Sequence, residues 1–305
     1  MSDNGVDHIV VLGAGAIGSL YAAKLAARHD VTVIGRPTHV AAIERDGLRV
    51  IGRETFTSRL HALASMPPLA ARTLVLLTTK VNDNHTAAAA LADTVREDTV
   101  VLCVQNGLHG EAIVKAVLGA RCLVLRGITQ CGAIFREPGV VDFKIGGDTY
   151  IEASPRSAVI ADLLTASGLD GRVCEAIAVE VWRKLIFNCV INPITSITGG
   201  EVGSIADARL DPIKQLVIDE CLRVARADGV TFEIDFIKAL AEVFGPSRNT
   251  ASMRQDLLKR KPTEIDHMNG AVVALGQRYG IDCPVNSALV TLIKALERSN
   301  LKSEV

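Results

Sequence analysis

The sequence has no surplus of basic charge. Its 305 residues carry 33 Lys and Arg against 34 Asp and Glu, for a formal net charge of −1. Neutralising a phosphate backbone takes a clear excess of Lys and Arg, so nucleic acid is excluded as the main partner. The chain also has no C-x-x-C pair. Its seven cysteines (Cys103, Cys122, Cys131, Cys174, Cys189, Cys221 and Cys283) are odd in number and scattered. That pattern supports neither a zinc site nor a dithiol motif, and no metal is expected. The cysteines read as small core residues of a protein in a reducing cytosol. A signal peptide is missing too. Residues 9–27 form a nearly apolar stretch, but Asp3 and Asp7 precede it where a basic segment would stand, Lys24 interrupts it, and three glycines break its first half. It reads as strand, turn and helix, and the chain as a cytoplasmic protein with no membrane partner. Internal repeats, low-complexity tracts and long linkers are absent as well. Apolar residues make up 49% and charged residues 22%, the composition of a globular chain able to bury substantial cores.

What is present changes texture along the chain. Strand-like runs at 8–12, 31–34, 73–78 and 99–104 alternate with helix-forming segments at 16–28, 38–46, 84–95 and 110–118. Such alternation implies crossover units and a parallel sheet with helices on both faces. Segments 122–132, 140–146 and 149–153 then read as consecutive strands extending the same sheet in antiparallel fashion. Beyond about residue 176 strand signals nearly vanish, and helical periodicity dominates 179–192, 212–228, 234–244, 263–279 and 286–298. The shift predicts an α/β domain over 1–175 and an all-α domain over 176–305.

Gly13-Ala14-Gly15-Ala16-Ile17-Gly18 fits G-x-G-x-x-G, directly after the first strand and opening the first helix. Gly13 permits the tight turn, Gly15 lets backbone amides approach a pyrophosphate, and Gly18 allows close helix–strand packing. The helix N-terminus then offers unpaired donors and a positive dipole end to phosphates. A merely tight strand–helix turn uses small residues too. The flanking strand and helix favour a dinucleotide, and a Rossmann-type N-terminal domain. The second strand, Val31-Thr32-Val33-Ile34, runs into Gly35-Arg36, with no acid where an NAD-type site holds the ribose 2′-OH. Arginine there suits a 2′-phosphate, which it grips with a charge-assisted fork, so the expected cofactor is NADP(H). The plain alternative is a solvated surface arginine.

One helix stands apart. In Val179 to Pro193, the residues Lys184, Asn188 and Asn192 sit at i, i+4 and i+8 on an otherwise apolar segment. At about 100° per residue they share one narrow stripe. Buried polar groups are costly unless paired, so the stripe either meets partners across a helix interface or lines a wet pocket. Asn192 before Pro193 predicts a helix break, because a residue preceding proline avoids the α region.

Trp182-Arg183-Lys184-Leu185 followed by Asn188-Cys189-Val190-Ile191-Asn192-Pro193 resembles the signature of the ketopantoate reductases. The resemblance covers nearly the whole chain. It takes in the glycine loop, Thr79-Lys80, Gln105-Asn106-Gly107, Gly127-Ile128-Thr129 and Gly132-Ala133. It continues through Ser252-Met253, Gln255-Asp256, Thr263-Glu264-Ile265-Asp266 and Asn269-Gly270. It implies NADPH-dependent reduction of 2-dehydropantoate, a small 2-oxo acid, to (R)-pantoate, with Lys184 as catalytic acid and Glu264 as substrate-binding and catalytic partner. Asn106, Asn188, Asn192 and Ser252 would hold substrate together with Lys184 and Glu264. Lys80, Asn106 and Gly132 would contact the nucleotide alongside the glycine loop and Arg36. Val202 falls where the family often carries a further substrate asparagine, which leaves another 2-oxo acid open as the substrate.

Physical chemistry gives these residues a rationale. Hydride delivery to a ketone builds negative charge on oxygen, which a nearby ammonium stabilises and protonates. Partial desolvation lowers a lysine pKa and a neighbouring glutamate raises it, so the pair is tunable in either direction. Thr263 and Asp266 fit a capping-box-like helix start, which makes Asp266 structural. A histidine acid, with His109 close to Asn106-Gly107, is the weaker alternative. So is a non-catalytic NADP(H)-binding regulator, which has no use for a proton donor. The sequence leaves oligomeric state open, a homodimer included.

Overall fold

The protein is described here by a computed structural model over residues 5–302, so Asp3 and the extreme termini lie outside the described residues. The Cα packing divides the chain into two compact units, Met1–Gln105 with His109–Ile177, and Asn106–Leu108 with Ala178–Val305.

The first unit runs β1 (His8–Leu12), α1 (Ala16–Leu25), β2 (Asp30–Ile34), α2 (Pro37–Asp46), β3 (Leu48–Gly52), β4 (Phe56–Ser58), β5 (His61–Leu63) and β6 (Thr73–Leu77). It continues with α3 (Asn84–Ala92), β7 (Val100–Val104), α4 (Gly110–Leu118), β8 (Leu123–Thr129), β9 (Gly132–Glu137), β10 (Val140–Ile145), β11 (Thr149–Glu152), α5 (Ser157–Ala166) and β12 (Gly171–Cys174). An eight-stranded sheet has the order β12-β11-β8-β7-β6-β1-β2-β5. All residues of β6 and β7 are buried, as expected of parallel strands covered on both faces. One apolar core lies on each face of this sheet.

The antiparallel extension expected from segments 122–132, 140–146 and 149–153 needs correction. β8 continues the parallel sheet beside β7, and only β11 pairs antiparallel to β8. β9 and β10 leave for a second, four-stranded sheet of order β4-β3-β10-β9, in which β10 runs parallel to β3 and pairs Val141 with Val50. Helix α1 contacts both sheets and is buried from Gly18 to Leu25. A helix covered on all sides is apolar all round, which explains the long apolar stretch read near the N-terminus. Its one charge, Lys24, pairs with Glu54 at 2.8 Å and lies 5.1 Å from the centre of the Phe143 ring. Five cysteines, Cys103, Cys131, Cys189, Cys221 and Cys283, are buried core side chains.

The second unit is helical: α6 (Ile177–Thr198), α7 (Asp211–Ala227), α8 (Phe236–Ala239), α9 (Ser252–Leu258), α10 (Asn269–Tyr279) and α11 (Pro284–Lys302). Asp228 ties three of these together, accepting from Trp182 Nε1 of α6 and from the Tyr279 hydroxyl of α10, each at 2.8 Å, just past the end of α7. Segment 234–244 is not one helix but α8 followed by a π turn over Leu240–Phe244. Segment 263–279 is likewise split into a 3₁₀ turn, Ile265–His267, and α10. Thr263 stands before the 3₁₀ turn, its Oγ1 accepting the Ile265 amide at 3.3 Å, while its own N–H and hydroxyl both donate to Glu297 Oε1, at 2.8 and 2.6 Å.

The break expected at Asn192–Pro193 is also absent, and α6 runs through Pro193 to Thr198. Proline in a helix interior removes the donor to the carbonyl four residues back. Here the Cys189 carbonyl receives the Asn269 amide instead, at 3.0 Å. Among the described residues, no helix is long and apolar enough to cross a membrane.

Candidate active site

In the first unit the site begins at the turn between β1 and α1. Gly13 has φ +113°, a conformation that L side chains rarely adopt, and a Cβ there would lie 2.6 Å from the Thr79 amide nitrogen. A Cβ on Gly18 would lie 2.1 Å from the Gly13 carbonyl oxygen. A Cβ on Gly15 would meet nothing within 4 Å. The outer two glycines are thus forced by close packing, while the middle one faces open space beside the start of α1. That helix has no side-chain cap, so the amides of Ala16, Ile17 and Gly18 in its first turn have no intrahelical acceptor. Open space next to uncapped helix amides fits a pyrophosphate, with Ala14 and Ala16 keeping the approach small.

Around this turn, Arg36 is exposed and directly precedes α2 at the carboxyl end of β2. Lys80 is half-buried and precedes the 3₁₀ turn Val81–Asp83 after β6. Gly132 opens β9 in the smaller sheet, where a Cβ would press on the Ile145 side chain at 3.2 Å.

The second unit carries the stripe. Lys184 and Asn188 are half-buried on α6, and Asn192 is 3% exposed. Asn192 Oδ1 accepts from the Ser252 hydroxyl at 3.3 Å and from the Met253 amide at 3.4 Å, so α6 supplies the side-chain cap that the start of α9 lacks. Two of the expected site residues, Asn192 and Ser252, are therefore in direct contact. Glu264 is half-buried and directly precedes the 3₁₀ turn Ile265–His267, on the segment that Glu297 holds through Thr263. Asp266 pairs with Lys294 at 2.5 Å, a partner other than the helix start expected for it. Asn106 belongs to this unit by packing, and Gly107 next to it has φ +81°, with room for no Cβ because the His267 carbonyl oxygen would lie at 2.3 Å. Val202 is half-buried, its amide donating to the Asn249 carbonyl at 2.8 Å. Of the histidines near these segments, His109 is exposed, and burial pushes His267 below the usual imidazole range.

The supporting contacts of three residues, Asn269 of the resemblance among them, were not legible in the sequence. Glu297 supports Thr263, Asn269 supports α6, and Asn84 joins the ends of two strands. Each acts through a partner far away along the chain, and none stands in a polar pattern of its own.

A glycine-turn nucleotide unit, joined to a helical unit whose long helix aligns a lysine with two asparagines, defines a two-domain oxidoreductase of the dinucleotide-dependent class. Residues 9–156 match the family described as ketopantoate reductase PanE/ApbA, and residues 176–297 match its C-terminal domain. The chain belongs to the ketopantoate reductase family. The 2-dehydropantoate 2-reductase of Pyrococcus horikoshii is 36% identical over 297 residues, spanning 95% of this chain and 97% of the relative. That of Archaeoglobus fulgidus is 33% identical, spanning 96% and 98%. Among solved structures, the ketopantoate reductase of Ralstonia eutropha aligns with a TM-score of 0.88 at 30% identity, over 96% of this chain and 99% of that one. D-mandelate dehydrogenase, solved with NADH and anilino(oxo)acetate, aligns with a TM-score of 0.89 at 25% identity over the same shares.

Proposed function

We propose that this chain is an NADPH-dependent 2-dehydropantoate 2-reductase, forming (R)-pantoate. The observation that carries the reading is the α6 stripe: one ammonium and two amides at i, i+4 and i+8 in a chain of this family, the last amide held against Ser252. NADPH, when bound, supplies the hydride. The amides at the start of α1 hold its pyrophosphate and Arg36 its 2′-phosphate, with Lys80, Asn106 and Gly132 as further contacts. Lys184 stabilises the charge that develops on the ketone oxygen and donates the proton from Nζ. Glu264 binds substrate, and Asn188, Asn192 and Ser252 offer amide and hydroxyl groups to carboxylate and hydroxyl oxygens without adding net charge. A small polar metabolite as substrate fits a cytoplasmic setting.

A second reading keeps scaffold and mechanism but changes the 2-oxo acid. It draws on the likeness to D-mandelate dehydrogenase and on the apolar Val202. Steady-state turnover of the purified protein with a panel of 2-oxo acids, each with NADPH and with NADH, tests both. The highest kcat/KM is expected for 2-dehydropantoate with NADPH. Turnover of no 2-oxo acid with either cofactor overturns both readings, and a different best acid selects the second.

A further inference from the structure

At the carboxyl ends of β6 and β7 two buried side-chain amides face each other. Asn84, the first residue of α3, is fully buried, and Gln105, the residue after β7, is 5% exposed. Asn84 Nδ2 donates to Gln105 Oε1 at 2.9 Å, and Gln105 Nε2 donates back to Asn84 Oδ1. The remaining amide hydrogens go to main-chain carbonyls. Asn84 Nδ2 donates to Gly110 O at 2.8 Å, and Gln105 Nε2 to Thr79 O at 2.7 Å. All four N–H bonds of the two amides are thus directed, one pair to each other and one pair to the backbone. Arg126 of β8, 3% exposed, completes the arrangement by donating from Nη2 to the Gln105 carbonyl at 2.9 Å. Gly110 is packed against the pair so closely that a Cβ would lie 3.1 Å from Gln105 Oε1.

An apolar pair would fill this space without the cost of desolvating two amides. What an apolar pair lacks is direction: a fully satisfied polar network specifies one arrangement of the segments it joins. The segments joined here are the Thr79-Lys80 turn after β6, the Gln105 peptide after β7 and the start of α4. The sheet order changes direction at β1, with β2 on one side and β6 and β7 on the other. Ligands of such sheets lie outside the carboxyl ends of the strands at that point. The Gly13 turn touches Thr79 directly, and Arg36 marks the β2 side. If Arg36 takes the 2′-phosphate of the adenosine half, the other half of the nucleotide runs toward β6 and β7.

We infer that Asn84 and Gln105 are positioning residues: their amide pair fixes the turns after β6 and β7 that seat the nicotinamide half of the cofactor, without holding the adenosine half. The inference rests on the nucleotide reading proposed above. Asn84→Asp keeps the side-chain shape and loses both donors, and Asn84→Leu removes the amide altogether. For each variant the measurements are the Kd of 2′,5′-ADP, which carries only the adenosine half with its phosphates, and kcat and KM with NADPH. The expected result is 2′,5′-ADP affinity within about twofold of the unmodified protein while kcat falls by roughly ten- to a hundredfold, the size of a small misplacement of a reacting group. Unchanged NADPH kinetics in both variants overturn the inference. Parallel loss of 2′,5′-ADP affinity and turnover also overturns it, because the pair is then a general strut of the unit. An unmodified protein that binds neither 2′,5′-ADP nor NADPH overturns the nucleotide reading itself, and the inference with it.

Discussion

The Asn269 side chain donates to the carbonyl of Cys189, at 3.0 Å, in the place of the amide hydrogen that Pro193 does not have. The same Nδ2 donates to Asn286 Oδ1 at 2.9 Å, and Asn286 Nδ2 donates on to Glu220 Oε2 at 2.7 Å. Glu220 in turn accepts the amides of Val285 and Asn286, both at 2.9 Å, and so caps the first turn of α11. A buried polar chain therefore links α7, α11 and α10 to the helix that carries Lys184, Asn188 and Asn192. Replacing Asn269 by Leu keeps the branching of the side chain but leaves the Cys189 carbonyl without its donor and Asn286 Oδ1 with only the weak Cys221 thiol, 3.9 Å away. Each orphaned group costs on the order of 1–3 kcal/mol. Urea denaturation should show a clearly lowered midpoint. An unchanged midpoint would mean that α6 tolerates Pro193 unaided.

Pro193 marks a break by local rules, and the donor that repairs it lies 80 residues along the chain from the Cys189 carbonyl that receives it. The second sheet was hidden for the same reason, since β3 pairs with β10 across most of the unit, and β4 is only three residues long. Patterns with a short period were legible. β1 ends where Gly13 forces a turn, α4 coincides with its predicted bounds, and Lys184, Asn188 and Asn192 lie on one helix at the spacing that aligns them. The Asn84–Gln105 pair has no such period: its two amides are 21 residues apart, and each alone looks like an ordinary loop or helix-start residue.

The proposed choice of NADPH rests on Arg36. If its guanidinium grips a 2′-phosphate, NADPH is strongly preferred over NADH, and Arg36→Asp erases or inverts the preference. The lost charge-assisted pair amounts to about 1.5–3 kcal/mol, or one to two decades in affinity. Comparison of kcat/KM for the two cofactors is the measurement. Equal use of both by the unmodified protein would leave Arg36 as a surface residue.

If Lys184 is the proposed acid, Lys184→Ala leaves NADPH affinity nearly intact while kcat collapses, because an ammonium in that role acts chiefly as charge develops in the transition state. General acid–base assistance is typically worth ~10²–10⁴-fold. Retention of half the activity would assign Lys184 a structural role.

His39 makes the first unit sensitive to acid. Its Nδ1 accepts the Gly139 amide at 2.8 Å, so the ring proton sits on Nε2, which faces the Ser19 hydroxyl at 3.0 Å. Burial holds its pKa below the usual 6.5. The unfolded chain therefore takes up this proton first as pH falls. The stabilisation is complete above about pH 6.5 and is lost as pH drops through the folded value, by about 1.4 kcal/mol for each unit of depression. His29 and His267 are depressed by burial too and add to the same fall. Between pH 7.5 and 5.5 the urea midpoint should decrease, and His39→Gln should reduce that decrease while lowering stability at the higher pH. An identical decrease in the variant would remove His39 from the account.

The proposed substrate differs from its simplest rival by one hydroxyl. 2-Dehydropantoate presents a carboxylate, a ketone, a terminal hydroxyl and a quaternary carbon, and Lys184, Asn188, Asn192, Ser252 and Glu264 can read the first three. Of these, Asn192 already has its oxygen committed to Ser252 and Met253, so its remaining capacity toward a ligand lies in Nδ2, which faces the weakly accepting Met268 sulfur at 3.7 Å. A site built to bond a substrate hydroxyl rejects the analogue that lacks it, because its own polar groups are left unsatisfied. 2-Dehydropantoate should therefore exceed 2-oxoisovalerate, which lacks the terminal hydroxyl, by a large factor in kcat/KM. Val202 pulls the other way, since a valine offers that hydroxyl nothing. Val202→Asn should then sharpen discrimination by raising kcat/KM for 2-dehydropantoate alone. Equal efficiency on the two acids by the unmodified protein would keep the reductase and discard 2-dehydropantoate as its substrate.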